Sequence, residues 1–163
     1  MSDRILEVED LSVEFRGVEV VHNVSFHVDR GETVAIVGES GSGKSVTALS
    51  IMQLLPYLYA SHPNGSILVD GEEMVGRDEE DLLKIRGNRI GMVFQEPMTS
   101  LNPLHHIEKQ ISEVLYVHRG MGVAKARVRA LELLELVGLQ HAEERLRAYP
   151  HELSGGQRQR VMI

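Results

Sequence analysis

The apolar positions change their spacing three times along the chain. From Ile5 to Phe15 they come in short alternating pieces, first Leu6 and Val8, then Leu11, Val13 and Phe15. Val18 to Val28 alternates again, through Val20, Val24, Phe26 and Val28. A period of two marks a strand with one face in the core. With Arg16-Gly17 as the turn, these two runs predict an antiparallel ribbon with one wet face. A second turn follows at Asp29-Arg30-Gly31-Glu32. Thr33 to Val37 is then continuously apolar, which predicts a strand buried on both faces, as in a parallel sheet.

Val46 to Leu55 is apolar on most positions and predicts a largely buried helix, stopped by Pro56. Residues 56–65 read as a loop, Ser66 to Val69 as a short strand closed by Asp70-Gly71, and Glu72 to Arg86 as a polar surface turn and short helix. Arg89 to Phe94 alternates as a strand ending at Gln95. From Leu104 the period becomes helical. Ile107, Ile111, Val114, Leu115 and His118 share one face, and Gly120-Met121-Gly122 breaks the helix. Ala124 to Val137 predicts a second helix with Val128, Leu131, Leu134 and Val137 inward and Gly138 as its stop. A short helical piece near Glu143 to Ala148 ends before Pro150. The pattern as a whole is α/β: a β-rich front, then an all-helical insert.

Composition narrows the possibilities. A chain of 163 residues, 42% apolar and 25% charged, can bury a core the size of one domain or slightly more. Aromatic residues are only 4%, so that core is aliphatic. The strictly apolar stretches run a few residues, against the roughly 20 a membrane-crossing helix needs. The N-terminus shows no secretory signal. The absence of cysteine excludes disulfides, thiol catalysis and Cys-ligated zinc. With 17 basic against 24 acidic residues and a net charge of −7, a general nucleic-acid binder is disfavoured.

The chemistry concentrates in Gly38-Glu39-Ser40-Gly41-Ser42-Gly43-Lys44-Ser45, which fits G-x-x-x-x-G-K-[ST] without a mismatch. A predicted buried strand precedes it and a predicted helix follows, as a phosphate-binding loop requires. Glycines let the backbone curl so that successive N–H groups face phosphate oxygens. A helix starting at Gly43 adds its positive end. Lys44 brings a mobile charge to the β- and γ-phosphates, and the Ser45 hydroxyl can ligate Mg²⁺. A flexible turn before an ordinary helix would leave Lys44 and Ser45 unexplained. A dinucleotide loop would need glycine where Val46 stands.

Leu153-Ser154-Gly155-Gly156-Gln157 matches the signature pentapeptide of ABC ATPases. With the phosphate loop, Gln95 and the β ribbon, it makes the chain, from residue 4 to residue 163, resemble the ATP-binding subunit of an ABC transporter. The phosphate loop, Phe94-Gln95-Glu96-Pro97-Met98-Thr99-Ser100-Leu101-Asn102-Pro103 and Tyr149-Pro150-His151-Glu152-Leu153 look like the oligopeptide/dipeptide importer branch. The resemblance implies a P-loop NTPase fold of the ABC type, with an N-terminal antiparallel β subdomain, an α-helical insert and an incomplete C-terminus. Its parts would be 1–103 for the β subdomain and P-loop core up to the Q-loop, 104–152 for the helical subdomain, and 153–163 for the signature and the helix after it. It implies ATP and Mg²⁺ as cofactors. Gln95 would meet Mg²⁺ or the attacking water, and a neutral amide can orient water without adding charge. Phe15 would stack on adenine, with plain sheet packing as the alternative for an aromatic on an alternating strand. Ser154 can cap a helix running from Gln157 to Ile163, with Gly155-Gly156 leaving its first N–H groups uncovered, and in the family the site Ser154, Gly155, Gly156 and Gln157 grips the γ-phosphate held on an opposite subunit. The implied partners are a second ATP-binding subunit in a head-to-tail dimer and transmembrane permease subunits, which would hold the protein on the cytoplasmic face of the membrane. No nucleic-acid partner is expected.

Two look-alikes are set aside. Ile67-Leu68-Val69-Asp70 imitates a Mg²⁺-holding strand but precedes Gln95, whereas the family's follows the signature. His105-His106 lacks the i, i+4 spacing that converges on a metal. The family would continue past the signature to a strand ending in Asp-Glu, a D-loop and a switch histidine. Without them, the expectation is weak nucleotide binding, negligible hydrolysis and exposed apolar sheet edges in these 163 residues. Other readings stay open: a soluble ABC ATPase acting on nucleic acid or ribosomes, a small-molecule kinase, or a nucleotide-binding fragment without catalysis.

Overall fold

The computed structural model describes residues 3–95 and 100–163. They form two compact units, Met1–Arg86 and Gly87–Ile163.

The first unit is built on a four-stranded antiparallel sheet, in the order β2-β1-β3-β4. Its strands are β1 (Arg4–Phe15), β2 (Val18–Asp29), β3 (Ala60–Val69) and β4 (Glu72–Glu73). The predicted ribbon is therefore present, and β3 starts earlier than the pattern implied. The change of phase between Val8 and Leu11 has a backbone cause. Asp10 has φ 47° and the register shifts there, so Val8 and then Leu11 and Val13 reach the core from one strand. A matching irregularity on β2 corrects the expected alternation. Asn23 has φ 44°, and its bulge puts Val21 in the core and leaves Val20 exposed. Ser12 Oγ accepts from the Asn23 N–H at 3.1 Å, and the Asp10 N–H donates to Ser25 Oγ at 2.8 Å, so the bulged backbone is tied down from both strands. On the other side, Gly65 of β3 has φ 105°, and a Cβ there would lie 2.5 Å from Leu11 Cα. Only glycine fits that crossing.

Helix α1 spans Lys44–Ile51, two residues earlier at its start than predicted and well short of Pro56 at its end. It closes because Gln53 takes a left-handed conformation (φ 51°). The Gln53 N–H donates to Ser50 O at 2.9 Å and the Leu54 N–H to Leu49 O at 2.9 Å. Gln53 is buried and its Nε2 also donates to Ser50 O, at 2.7 Å, which offsets the strain of a side chain in that region. Asp70-Gly71 is the predicted turn, both residues at positive φ, between β3 and β4. Glu73 then folds back, accepting from the backbone N–H groups of Ile67, Met74 and Val75 and from the Ser66 hydroxyl. Burial alone would raise its carboxyl, but these four donors outweigh it and hold the group below the ordinary carboxylate range. Helix α2 (Glu79–Ile85) completes the unit. Arg86 follows it, donating to Met52 O at 2.7 Å and also to Gln53 O.

Thr33 to Val37 corrects the sequence reading. The segment joins no sheet, and Val37 is 87% exposed. A strand of a parallel sheet is buried only by neighbours on both sides and both faces, and none of the described residues pairs with it. Arg89 to Phe94 departs in a similar way: beyond an isolated bridge at Ile90 it joins no strand, and Val93 and Phe94 are exposed.

The second unit is helical, as predicted: α3 (Ile107–Arg119), α4 (Val123–Leu136), α5 (Ala142–Leu146), a 3₁₀ turn (Pro150–Glu152) and α6 (Gly155–Met162). Ile107, Ala130, Leu134, Leu139, Ala142, Leu146, Ala148 and Leu153 form its core, with Val161 of α6 packed against it. Two assignments change. Val128 is 58% exposed, and the buried line of α4 is Ala126, Ala130 and Leu134. Small residues at i and i+4 allow neighbouring backbone to come close, and a search for bulky apolar residues passes over them. On α3, Val114 is exposed while Ser112 is buried. Gly138 is the predicted stop, at φ 71°, with its N–H donating to Glu135 O and the Leu139 N–H to Leu134 O, both at 2.9 Å.

Candidate functional site

The loop 38–45 is shaped by its glycines. Gly41 and Gly43 stand at φ 84° and 86°, and a Cβ on Gly38 would come 2.7 Å from Ser42 Oγ, filling the loop's interior. The Lys44 ammonium folds into that curl. It donates to Gly38 O at 2.9 Å, Glu39 O at 2.6 Å and Ser42 Oγ at 3.2 Å. These are neutral oxygens around a full charge, and Lys44 can exchange them for charged ones. Gly43 is the N-cap of α1 and makes no side-chain cap, so the first-turn N–H groups are left for another acceptor. Ser45 is exposed in that first turn, and Ser40 lies at the tip of the loop. The residues therefore fit a phosphate group, and the exposed Ser45 hydroxyl would be free to ligate a cation bound to it.

The ribbon positions this loop. A Cβ on Gly43 would lie 3.0 Å from Val21 Cγ2 and 3.1 Å from Val20 O, so β2 backs the loop directly. Phe15 ends β1, half-buried, paired with Val18 on β2 and Ala60 on β3. One strand thus carries both neighbours: Val18 beside Phe15, then Val20 and Val21 against Gly43. The sequence reading missed Val21, hidden by the bulge, and Tyr59. The Tyr59 ring is half-exposed, lies 4.6 Å from the Arg16 guanidinium, and its carbonyl accepts from the Arg16 N–H at 2.8 Å. The signal for it was the Tyr57-Leu58-Tyr59 run after Pro56.

The other predicted residues belong to the second unit. Gln95 is exposed in a bend. Glu96, Pro97, Met98 and Thr99, the rest of the predicted Q-loop core, lie outside the described residues. Ser154 caps α6 as predicted. Its Oγ accepts from the Gln157 N–H at 3.3 Å, while Gln157 Oε1 accepts from the Ser154 N–H at 2.8 Å. This is a complete capping box. The helix starts two residues earlier than read, at Gly155, and a Cβ on Gly155 or Gly156 would meet nothing within 4 Å. The first turn of α6 is therefore open. Arg160 braces it, donating from Nη1 to Gly138 O at 2.6 Å. Asp70, the rejected metal ligand, sits in its turn 3.5 Å from Arg30 Nη2.

A phosphate loop backed by an antiparallel ribbon, and a capped, glycine-rich helix start behind a helical subdomain, define the ATP-binding cassette class. The chain belongs to the ABC transporter family, whose model matches residues 21–163. It is 61% identical over 98% of its length to the peptidoglycan transport ATP-binding protein YejF of Agrobacterium fabrum, covering 30% of that protein. It is 50% identical, over 98% of its length, to the oligopeptide transport ATP-binding protein OppD of Bacillus subtilis, covering 46% of it. The chain thus spans half or less of these curated relatives. Among solved structures, it is similar to the dimeric structure of MJ0796, a bacterial ABC transporter cassette, with a TM-score of 0.82 and 32% identity over 97% of this chain and 67% of that one. A post-hydrolysis state of the same cassette, bound to ADP and Pi, gives a TM-score of 0.81. Members of this family bind ATP, generally with Mg²⁺. Among the described residues no helix is long and apolar enough to cross a membrane.

Proposed function

We propose that this chain is the ATP-binding part of an ABC importer component for peptides or similar small solutes, working through partner membrane subunits. The observation that carries the reading is the loop 38–45 curled around the Lys44 ammonium at the start of α1. The peptide branch is supported by relatives whose names include oligopeptide and peptidoglycan transport.

In this reading Gly38 to Gly43 present backbone N–H groups to the phosphates, Lys44 turns its ammonium from the loop's carbonyls to the β- and γ-phosphates, and Ser45 faces Mg²⁺. Phe15 offers its ring to the base. Gln95 orients water or the metal and couples the site to the membrane partner. Ser154, Gly155, Gly156 and Gln157 hold the γ-phosphate on a second ATP-binding subunit, head to tail. Residues 104–152 act as the helical subdomain that docks on the permease, which keeps the protein at the cytoplasmic face of the membrane.

Calorimetric titration of Mg-ATP into the chain, with Lys44→Ala in parallel, tests the central assignment. Saturable binding that disappears in the variant is the expected result. Binding of equal strength by both proteins would take the phosphate away from this loop.

A further inference from the structure

A cavity on the second unit, walled largely by the apolar stems of polar and charged residues, is used neither by the phosphate loop nor by the signature helix. It measures about 420 Å³ and is lined by His106, Glu108, Lys109, Ser112, Tyr116 and Arg147. Glu108, Lys109, Ser112 and Tyr116 are all on α3, and His106 is its N-cap. Arg147 follows α5.

Ser112 is the residue that asks for a ligand. It is 1% exposed, and its hydroxyl is buried without a hydrogen-bond partner among the described residues. A serine inside a helix ordinarily returns its O–H to the carbonyl four residues back. Ser50 of α1 does this, donating to Val46 O at 2.8 Å. Ser112 makes no such bond, and an unbonded buried hydroxyl is unfavourable.

The charges around it have one sign to spare. Glu108 is taken by Arg127 at 2.7 Å. Lys109 Nζ lies 2.9 Å from His105 Nε2, and no carboxylate among the described residues forms an ion pair with it. The exposed Arg147 guanidinium has no hydrogen-bond or ion-pair partner among the described residues. Tyr116 adds a second hydroxyl.

We propose that this cavity binds the carboxylate of a small organic acid. Arg147 meets the carboxylate with its planar fork, Lys109 adds charge, and the hydroxyls of Ser112 and Tyr116 donate to the ligand's oxygens. The volume falls in the range of small-molecule sites, roughly 300–1,000 Å³, and exceeds what a simple inorganic anion fills.

The test is a titration of the isotope-labelled full chain with succinate and, separately, with the dipeptide Ala-Ala, at fixed ionic strength, following amide resonances. Saturable shifts confined to residues 106–116 and the turn at Arg147, with either probe, are expected. Arg147→Ala should weaken them at least about ten-fold, since a charge-assisted bond is lost. Ser112→Ala should weaken them by a smaller factor. Both variants remove side chains with no hydrogen-bond or ion-pair partner among the described residues, so both should keep the wild-type spectrum elsewhere. Absence of saturation with both probes overturns the proposal. So does equal saturation by inorganic phosphate, or unchanged affinity in both variants.

Discussion

Leu11 to Phe15 alternates apolar and polar residues, Val34 to Val37 is apolar throughout, and the two segments of the first unit end in opposite surroundings. Val13 is 0% exposed, Val37 is 87% exposed. The difference lies in where each finds its neighbours. β1 is flanked by β2, joined to it by a two-residue turn, and by β3. The run at 34–37 has the composition of a strand enclosed on both faces, and such a strand depends on residues far away in sequence. Hydrophobicity marks a segment that can be buried; pairing decides whether it is.

The largest test of this contrast is a carboxylate placed in each run. Val13→Asp puts a charge in the centre of the sheet with nothing to pair it, and should destabilise the first unit by more than about 4 kcal/mol, enough to unfold it. Val37→Asp should change stability by less than about 0.5 kcal/mol, because its side chain is already in water. It should also reduce self-association, since it places charge on an exposed apolar edge. Urea titration followed by circular dichroism, with light scattering alongside, reads both. Equal destabilisation by the two substitutions would show that 34–37 is buried in solution.

The same contrast explains what could be read from the sequence. The ribbon, the Asp70-Gly71 turn, the helices of the second unit and the Gly138 stop were legible because each rests on local period and turn chemistry. The phosphate loop and the Ser154 cap were legible because their residue types are fixed by backbone geometry. The bulge at Asn23 was not, because a register shift is set jointly by two strands, and it hid Val21 behind Val20. The inward line of α4 was misread because alanines carry little hydrophobic signal, yet Ala126 and Ala130 are fully buried. The extended segments at 33–37 and 89–94 were misread because their neighbours are not local.

A smaller effect separates the helical core from its own surface. Leu134 is buried among Ile107, Leu139 and Leu146. Leu134→Ala should cost about 2–5 kcal/mol, the range for a leucine that leaves a cavity. Val128→Ala, six residues earlier on the same helix, should stay within about 0.5 kcal/mol. Amide hydrogen exchange resolves which unit loses protection. Loss spread equally over β1 and β2 would mean that the two units unfold as one.

Acid should weaken the first unit through Glu73. Its folded carboxyl titrates below its unfolded value because Ser66, Ile67, Val75 and Met74 donate to the charged form. A depressed folded value gives stability that is complete above the unfolded pKa, near 4.3, and is lost as pH falls through the folded one. The unfolding midpoint of the first unit should therefore drop below that pH. Glu73→Gln should lower stability at neutral pH and flatten the acid limb. An unchanged acid limb in the variant would assign the loss to other carboxylates.

The smallest effect concerns the two glycine-rich helix starts. α1 begins on Gly43, left-handed and without a side-chain cap; α6 begins on Ser154 with a reciprocal capping box. In α1 the orphan N–H groups are left for a ligand, and the loop backing against Val20 and Val21 holds the start in place. In α6 the cap itself holds the start, and a Cβ on either of its first two glycines would meet nothing within 4 Å. Ser154→Ala should therefore destabilise the first turn of α6 by about 1 kcal/mol, and Ser154→Gly by a few tenths, as caps do elsewhere. Exchange rates of the Gln157 and Arg158 amides measure it. A loss no larger than that of Ser154→Gly would show that Arg160, through Gly138 O, and not the hydroxyl, fixes this helix start.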